Sequence, residues 1–87
     1  MDLNAVSVFV QVVECGSFTH AAEVLDMTKS TVSRKLAELE LHLGVRLVTR
    51  STRSLVLTPE GERFYTSSLQ MLEIMSQAEL EVTADQD

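Results

Sequence analysis

The chain is poor in the residues that staple or punctuate small proteins: one cysteine, one proline and three glycines in 87 residues, with no tryptophan. The lone Cys15 excludes an internal disulfide, and without a second cysteine there is no thiolate framework for a structural metal. Following Val12-Val13, Cys15 reads as a small buried hydrophobe rather than a reactive thiol. No apolar run approaches the roughly 18 residues a membrane span requires. The start, MDLNAVSVFVQVV, lacks a basic n-region and a small-residue cleavage site, so neither export nor insertion is expected and the expected setting is the cytoplasm. Catalytic signatures are missing as well. There is no G-x-S-x-G, G-x-x-x-x-G-K-[ST] or H-E-x-x-H, His20 and His42 are isolated, and Glu38 and Glu40 stand two apart on a helix and so do not face each other. The chain is not expected to be an enzyme or to bind a cofactor.

An overall excess of basic charge is also absent. The formal net charge is −6, yet its distribution is uneven. All seven cations, Lys29, Arg34, Lys35, Arg46, Arg50, Arg53 and Arg63, lie between residues 29 and 63. Only Glu38, Glu40, Glu60 and Glu62 oppose them there, leaving +3, whereas the two ends carry nine acids and no cation. A polyanion responds to local potential within a Debye length of about 8 to 10 Å, so the acidic total does not exclude nucleic acid.

Periodicity supplies the elements. Leu3, Val6, Val10 and Val13 recur at helical spacing over Asp2 to Glu14. A second stripe, Ala5, Val8 and Val12, occupies the opposite side, so this helix needs two burial partners, and one of them is expected to be another chain. Gly16 suits a left-handed stop and Ser17 an N-cap for FTHAAEVL. Thr28 caps a third helix from Lys29 to Leu43, whose stripe of Val32, Leu36, Leu39 and Leu43 ends at Gly44. Two short helices joined by a few residues make a helix-turn-helix candidate. The period then changes to alternation in VRLVTRSTRSLVLT, with Val45, Leu47 and Thr49 on one side and Arg46, Val48 and Arg50 on the other, which predicts a two-stranded ribbon. Thr58 and Pro59 open a final helix running to about residue 83, with Glu60 and Glu62 at its positive end. Its wide stripe of Phe64, Leu69, Met71, Leu72, Ile74, Met75, Ala78 and Val82 suits either a core helix or, the reading preferred here, a projecting dimer helix. The expected division is 1–58 for the body, 59–84 for this helix and 85–87 for a disordered end.

On the third helix, Ser30, Arg34, Ala37 and Leu41 lie opposite the apolar stripe, with Thr31 and Ser33 on its flanks. Cations and hydroxyls crowd its first two turns while the acids follow behind, as suits a helix whose N-terminal end reads base edges in the major groove. Lys29 can donate to guanine, Arg34 to guanine or phosphate, and Thr28, Ser30, Thr31 and Ser33 to either kind of site. Lys35, nearer the edge, suits phosphate. A solvated helix face would look similar locally. Arg50 and Arg53 in the ribbon suit a phosphate or a narrow A·T-rich minor groove, although an arginine-bearing hairpin also serves simply as a charged edge. Ser17 and Thr19 can add phosphate contacts at the start of the second helix. A helical interaction module with an incidental basic patch is the competing reading.

The elements F-x-x-V-x-E-x-G-S-F-x-x-A-A, V-S-R-x-L-x-x-L-E, L-G-V-R-L and L-T-x-x-G, taken together over residues 1 to 65, resemble the N-terminal DNA-binding domain of LysR-type transcriptional regulators. The resemblance implies a mainly α winged helix-turn-helix, with three helices and a two-stranded wing followed by a long linker helix. It further implies binding to interrupted dyad sites in double-stranded promoter DNA. Ser33 and Arg34 match the family's DNA-contacting pair, and Arg53 matches its wing arginine. Dimerisation is expected through Val8, Val12, Leu69, Leu72, Met75 and Val82. Regulators of this kind continue into a large effector-binding domain and often form tetramers, so these residues are expected to be a DNA-binding fragment of a longer protein, whose small-molecule effector binds elsewhere, rather than a stand-alone short form. Lys29-Ser30 stands where many members carry Gln-Pro, which implies a changed operator preference, and Val48 stands where many carry Phe.

Overall fold

A computed structural model describes residues 1–50 and 54–84. The element order is α1 (Leu3–Cys15), α2 (Phe18–Leu25), α3 (Lys29–Leu43), β1 (Val48–Arg50), β2 (Leu55–Leu57) and α4 (Pro59–Thr83). The chain is mainly helical, with three helices, a two-stranded antiparallel ribbon and a long last helix. Arg53 and the acidic end at 85–87 lie outside the described residues.

Each helix starts on an oxygen cap. Asp2, Ser17, Thr28 and Thr58 accept from the backbone N–H of Asn4, His20, Thr31 and Gly61, satisfying donors that the first turn leaves unpaired. Gly16 and Gly44 close α1 and α3 at φ 71° and 74°, a region that a Cβ disfavours. Asp26 closes α2 in the same conformation, at φ 55°.

The core gathers Val6, Phe9, Val10, Ala21, Val32, Leu36 and Leu39 from the three body helices with Leu47 and Val48 from the ribbon. The need of α1 for two partners is met inside the chain: it packs on α2 and α3 and also on α4. Phe9 meets Phe64 at 5.7 Å and Tyr65 at 6.4 Å between ring centroids. Tyr65 Oη donates to Glu14 Oε2 at 3.3 Å. Burial, reinforced by the charge and hydrogen bond of Glu14, pushes the phenol above its ordinary 10.0 and keeps it a neutral donor. Val8 and Val12, expected at a dimer face, are 1% and 0% exposed within the single chain and offer nothing to a second one. Their apolar stripe is covered within the chain, where α1 packs on α2, α3 and α4 together.

The ribbon also corrects the alternating pattern. Strand pairing begins only at Val48, in register Val48↔Leu57, Thr49↔Val56 and Arg50↔Leu55. Leu47 and Val48 are both buried instead of pointing to opposite sides. The cause is Glu40, whose Oε2 accepts from Leu47 N at 2.7 Å and from Val48 N at 3.3 Å, drawing this backbone onto the end of α3. The Leu47 carbonyl accepts from Thr58 N, and Thr58 Oγ1 donates to the Arg46 carbonyl at 2.6 Å. Gly61 completes this junction, since a Cβ there would sit 2.0 Å from the Leu47 carbonyl oxygen.

Beyond Leu72 the last helix leaves the body. Ile74, Met75, Leu80 and Val82 are exposed, and the described chain measures 51 × 25 × 19 Å. Among the described residues, no helix is long and apolar enough to cross a membrane.

Gly61→Ala is expected to destabilise the fold by about 2 kcal/mol or more, because its methyl group meets backbone rather than a yielding side chain. Thermal unfolding should show Tm lower by about 10 °C. An unchanged Tm would show that the α4 junction is looser than its geometry.

Candidate nucleic-acid interface

Helices α2 and α3 are held as a unit by Ala21, Ala22, Val32 and Leu36, all buried in one cluster. Their connection is short. The Asp26 N–H returns to the Glu23 carbonyl at 3.2 Å and the Met27 N–H to the Ala22 carbonyl at 2.9 Å, which ends α2 and turns the chain within three residues. Ala21 at 0% exposure allows the close helix approach that this turn requires.

On α3, burial of Val32, Leu36 and Leu39 turns Lys29, Ser30, Arg34, Ala37 and Leu41 outward. Thr31, Ser33 and Lys35 are half-buried on the flanks. The hydroxyl of Thr28 is committed within the cap: it accepts from Thr31 N, donates to Thr31 Oγ1 at 2.8 Å and lies 3.2 Å from Ser30 Oγ. Ser17 is similarly engaged with His20 N. The outward donors on α3 are therefore chiefly Lys29 and Arg34, with the outward Ser30 hydroxyl shared with the Thr28 cap. Arg34 Nη1 lies 3.4 Å from Glu38 Oε1, one turn on, with both side chains about three-fifths exposed. So exposed a pair contributes roughly 0.3 to 0.5 kcal/mol, little enough for a stronger anion to displace it.

Between α3 and the ribbon runs an open groove lined by Ala37, Glu40, Leu41, Gly44, Val45, Arg46 and Arg50. Its two arginines are placed differently. Arg46 Nε lies 3.6 Å from Glu40 Oε2, and its Nη2 donates to the Val48 carbonyl. The Arg50 guanidinium lies over the Phe18 ring, 3.9 Å from the centroid. Sequence reasoning singled out Arg50 but not Glu40 or Phe18. Glu40 acts through amides seven and eight residues away, and no local pattern signals that. Phe18 at the head of α2 looks like any core aromatic. Leu41, 84% exposed, forms part of the groove wall, a role its helical phase alone does not suggest. Among the described residues, no group of three His, Cys, Asp or Glu side chains is placed to hold a metal.

A tight helix-turn-helix with a cationic, outward-facing second helix and an adjoining arginine-bearing ribbon defines a winged helix-turn-helix DNA-binding domain. Residues 3–62 match the family of bacterial regulatory helix-turn-helix proteins called the lysR family. The chain belongs to that family.

Among relatives, the HTH-type transcriptional regulator CrgA of Neisseria meningitidis is 50% identical over 78 residues, covering 90% of this chain and 26% of CrgA. The HTH-type transcriptional repressor PA14_22550 of Pseudomonas aeruginosa is 43% identical over 77 residues, covering 88% of this chain and 24% of the repressor. The chain thus spans about a quarter of the length of these relatives. Among solved structures, the BenM DBD in its complex with catB site 1 DNA superposes with a TM-score of 0.93 at 36% identity, covering 97% of this chain and 94% of that one. Full-length CbnR complexed with its target DNA gives 0.90 at 30% identity, covering 97% of this chain and 29% of that one.

The two glutamates of α3 should behave oppositely. Glu40→Ala leaves two peptide N–H groups without their acceptor and is expected to cost about 1 to 3 kcal/mol in urea unfolding. Glu38→Ala, losing only an exposed pair, should cost under about 0.5 kcal/mol. Equal effects would contradict this assignment.

Proposed function

We propose that the chain binds double-stranded promoter DNA as a homodimer, on an interrupted dyad site, within a LysR-type transcriptional regulator of the bacterial cytoplasm. The observation that carries the reading is the outward set Lys29, Ser30 and Arg34 opposite the buried Val32, Leu36 and Leu39. The N-terminal half of α3 lies in the major groove, with Lys29 and Arg34 donating to guanine edges or phosphates and Ser30 and Ser33 adding hydroxyl contacts. Thr28 and Ser17 hold the N-termini of their helices toward the backbone, where N–H groups favour phosphate. Arg50 and Arg53 belong to the wing, with Arg53 at the minor groove or a phosphate. The DNA complexes solved for BenM and CbnR support this assignment.

The second chain is engaged by α4. Leu69, Met75 and Val82 are 40%, 37% and 72% exposed, whereas Leu72 is half-buried at the edge of the same stripe. Apolar positions at this spacing on a projecting helix find their burial partner in the same helix of another protomer. Tetramers and a small-molecule effector belong to the longer regulator, through residues other than these. No cofactor enters the binding event.

Fluorescence anisotropy with a labelled duplex recovered by selection from random DNA tests the reading. Affinity should fall steeply with salt, and Arg34→Ala or Arg53→Ala should each cost about 1 to 3 kcal/mol. If neither substitution changed affinity, the proposed reading head would be wrong. Sedimentation equilibrium tests the pairing: the parent chain should dimerise and Met75→Glu should shift it to monomer with unchanged helical circular dichroism. A strictly monomeric parent chain would remove the role given to α4.

A further inference from the structure

Besides the Glu40 contacts at its root, the wing meets the helix-turn-helix through an arginine. Arg50 closes β1, and its guanidinium carbon lies 3.9 Å from the centroid of the Phe18 ring at the head of α2. Phe18 is 6% exposed, so the ring is fixed by the core while one face remains available to the arginine. Arg34 and Arg46 each lie beside a carboxylate; the contact found for Arg50 is an aromatic face. The difference is chemical. A carboxylate occupies N–H donors and neutralises charge, whereas a cation–π contact holds the guanidinium without consuming its donors or its charge. The same arginine lines the groove between α3 and the ribbon, together with Arg46, Ala37, Leu41, Val45 and a Glu40 whose carboxylate is turned to Arg46 and the Leu47 and Val48 amides.

We propose that Phe18 is a positioning residue for DNA binding: its ring holds the Arg50 guanidinium by a contact that uses none of its N–H donors, against a phosphate of the strand crossing between α3 and the wing. The inference rests on the DNA-binding reading above. An unrestrained arginine on a short ribbon loses rotamer entropy when it engages a phosphate. The ring removes part of that loss in advance and ties the pose of the wing to α2.

The test is a double-mutant cycle read by anisotropy across a salt series, on the selected duplex, at temperatures where circular dichroism shows every variant folded. Arg50→Ala should weaken binding about tenfold and lower the salt slope by about one phosphate contact. Phe18→Leu should weaken it about fivefold in the parent chain. In the Arg50→Ala background Phe18→Leu should cost nothing further, whereas with Arg50 in place Phe18→Tyr should keep binding within about twofold of the parent. Pentafluorophenylalanine at position 18 keeps the shape of the ring and reverses its charge distribution, so it should reproduce the Phe18→Leu loss even if the leucine variant fails to fold. Additive effects of Phe18→Leu and Arg50→Ala, or parent-like binding by the fluorinated protein, would overturn the positioning role. If Arg34→Ala still weakens binding in that case, DNA recognition by α3 stands and only the Phe18 inference falls. A parent chain that binds no duplex would overturn both.

Discussion

The peptide of Leu47 is the junction on which the relative placement of α3, ribbon and α4 depends. Its N–H is taken by Glu40 from α3, its carbonyl accepts from Thr58 at the threshold of α4, and Gly61 leaves room for that carbonyl against the first turn. Buried backbone groups must be paired, and here the partners come from two different elements. The ribbon is short, three residues a side, and short ribbons are marginal by themselves. Its position is therefore set less by its own ladder than by the carboxylate at its root. The arginines at 46 and 50 inherit their placement from the same point.

Much of the architecture was legible because it is written locally. The spacing of Val32, Leu36, Leu39 and Leu43, the caps at Ser17, Thr28 and Thr58, and the stops at Gly16 and Gly44 report on chain that folds within a few residues of itself. The outward face of α3 follows from the same period, so the main candidate contacts could be read there. What escaped was tertiary. The circumference of α1 signalled two partners, but nothing in Val8 or Val12 could say that both were intramolecular. Burial of two consecutive residues, Leu47 and Val48, broke the alternation because a distant glutamate, not the strand, dictates that backbone. Gly61 did leave a trace, since glycine inside the first turn of a helix is unfavourable unless something approaches closely. The approaching group itself could be seen only in three dimensions.

The electrostatic layout distinguishes anchored from available charge. Glu40 is largely buried and serves the backbone, so it does little to oppose a polyanion at the surface; Glu38 is exposed and restrains Arg34 only weakly. The acidic residues that give the chain its negative total lie at its two ends, away from the sequence interval that carries every cation. A field arranged in this way orients as well as attracts, because the approach of the wrong face is repelled.

The straight run of α4 has a mechanical consequence. Twenty-five residues without an internal proline make a rod about 37 Å long, gripped by the body only along its first half. Bending the free half, about 16 Å, by about ten degrees displaces its far end by roughly 3 Å, close to one step along a DNA strand. Under the pairing proposed above, a small angular change at the joint would change the distance between the two α3 helices. The helix thus has the geometry of a lever, in which a small angular change near the body becomes a larger displacement at the far end.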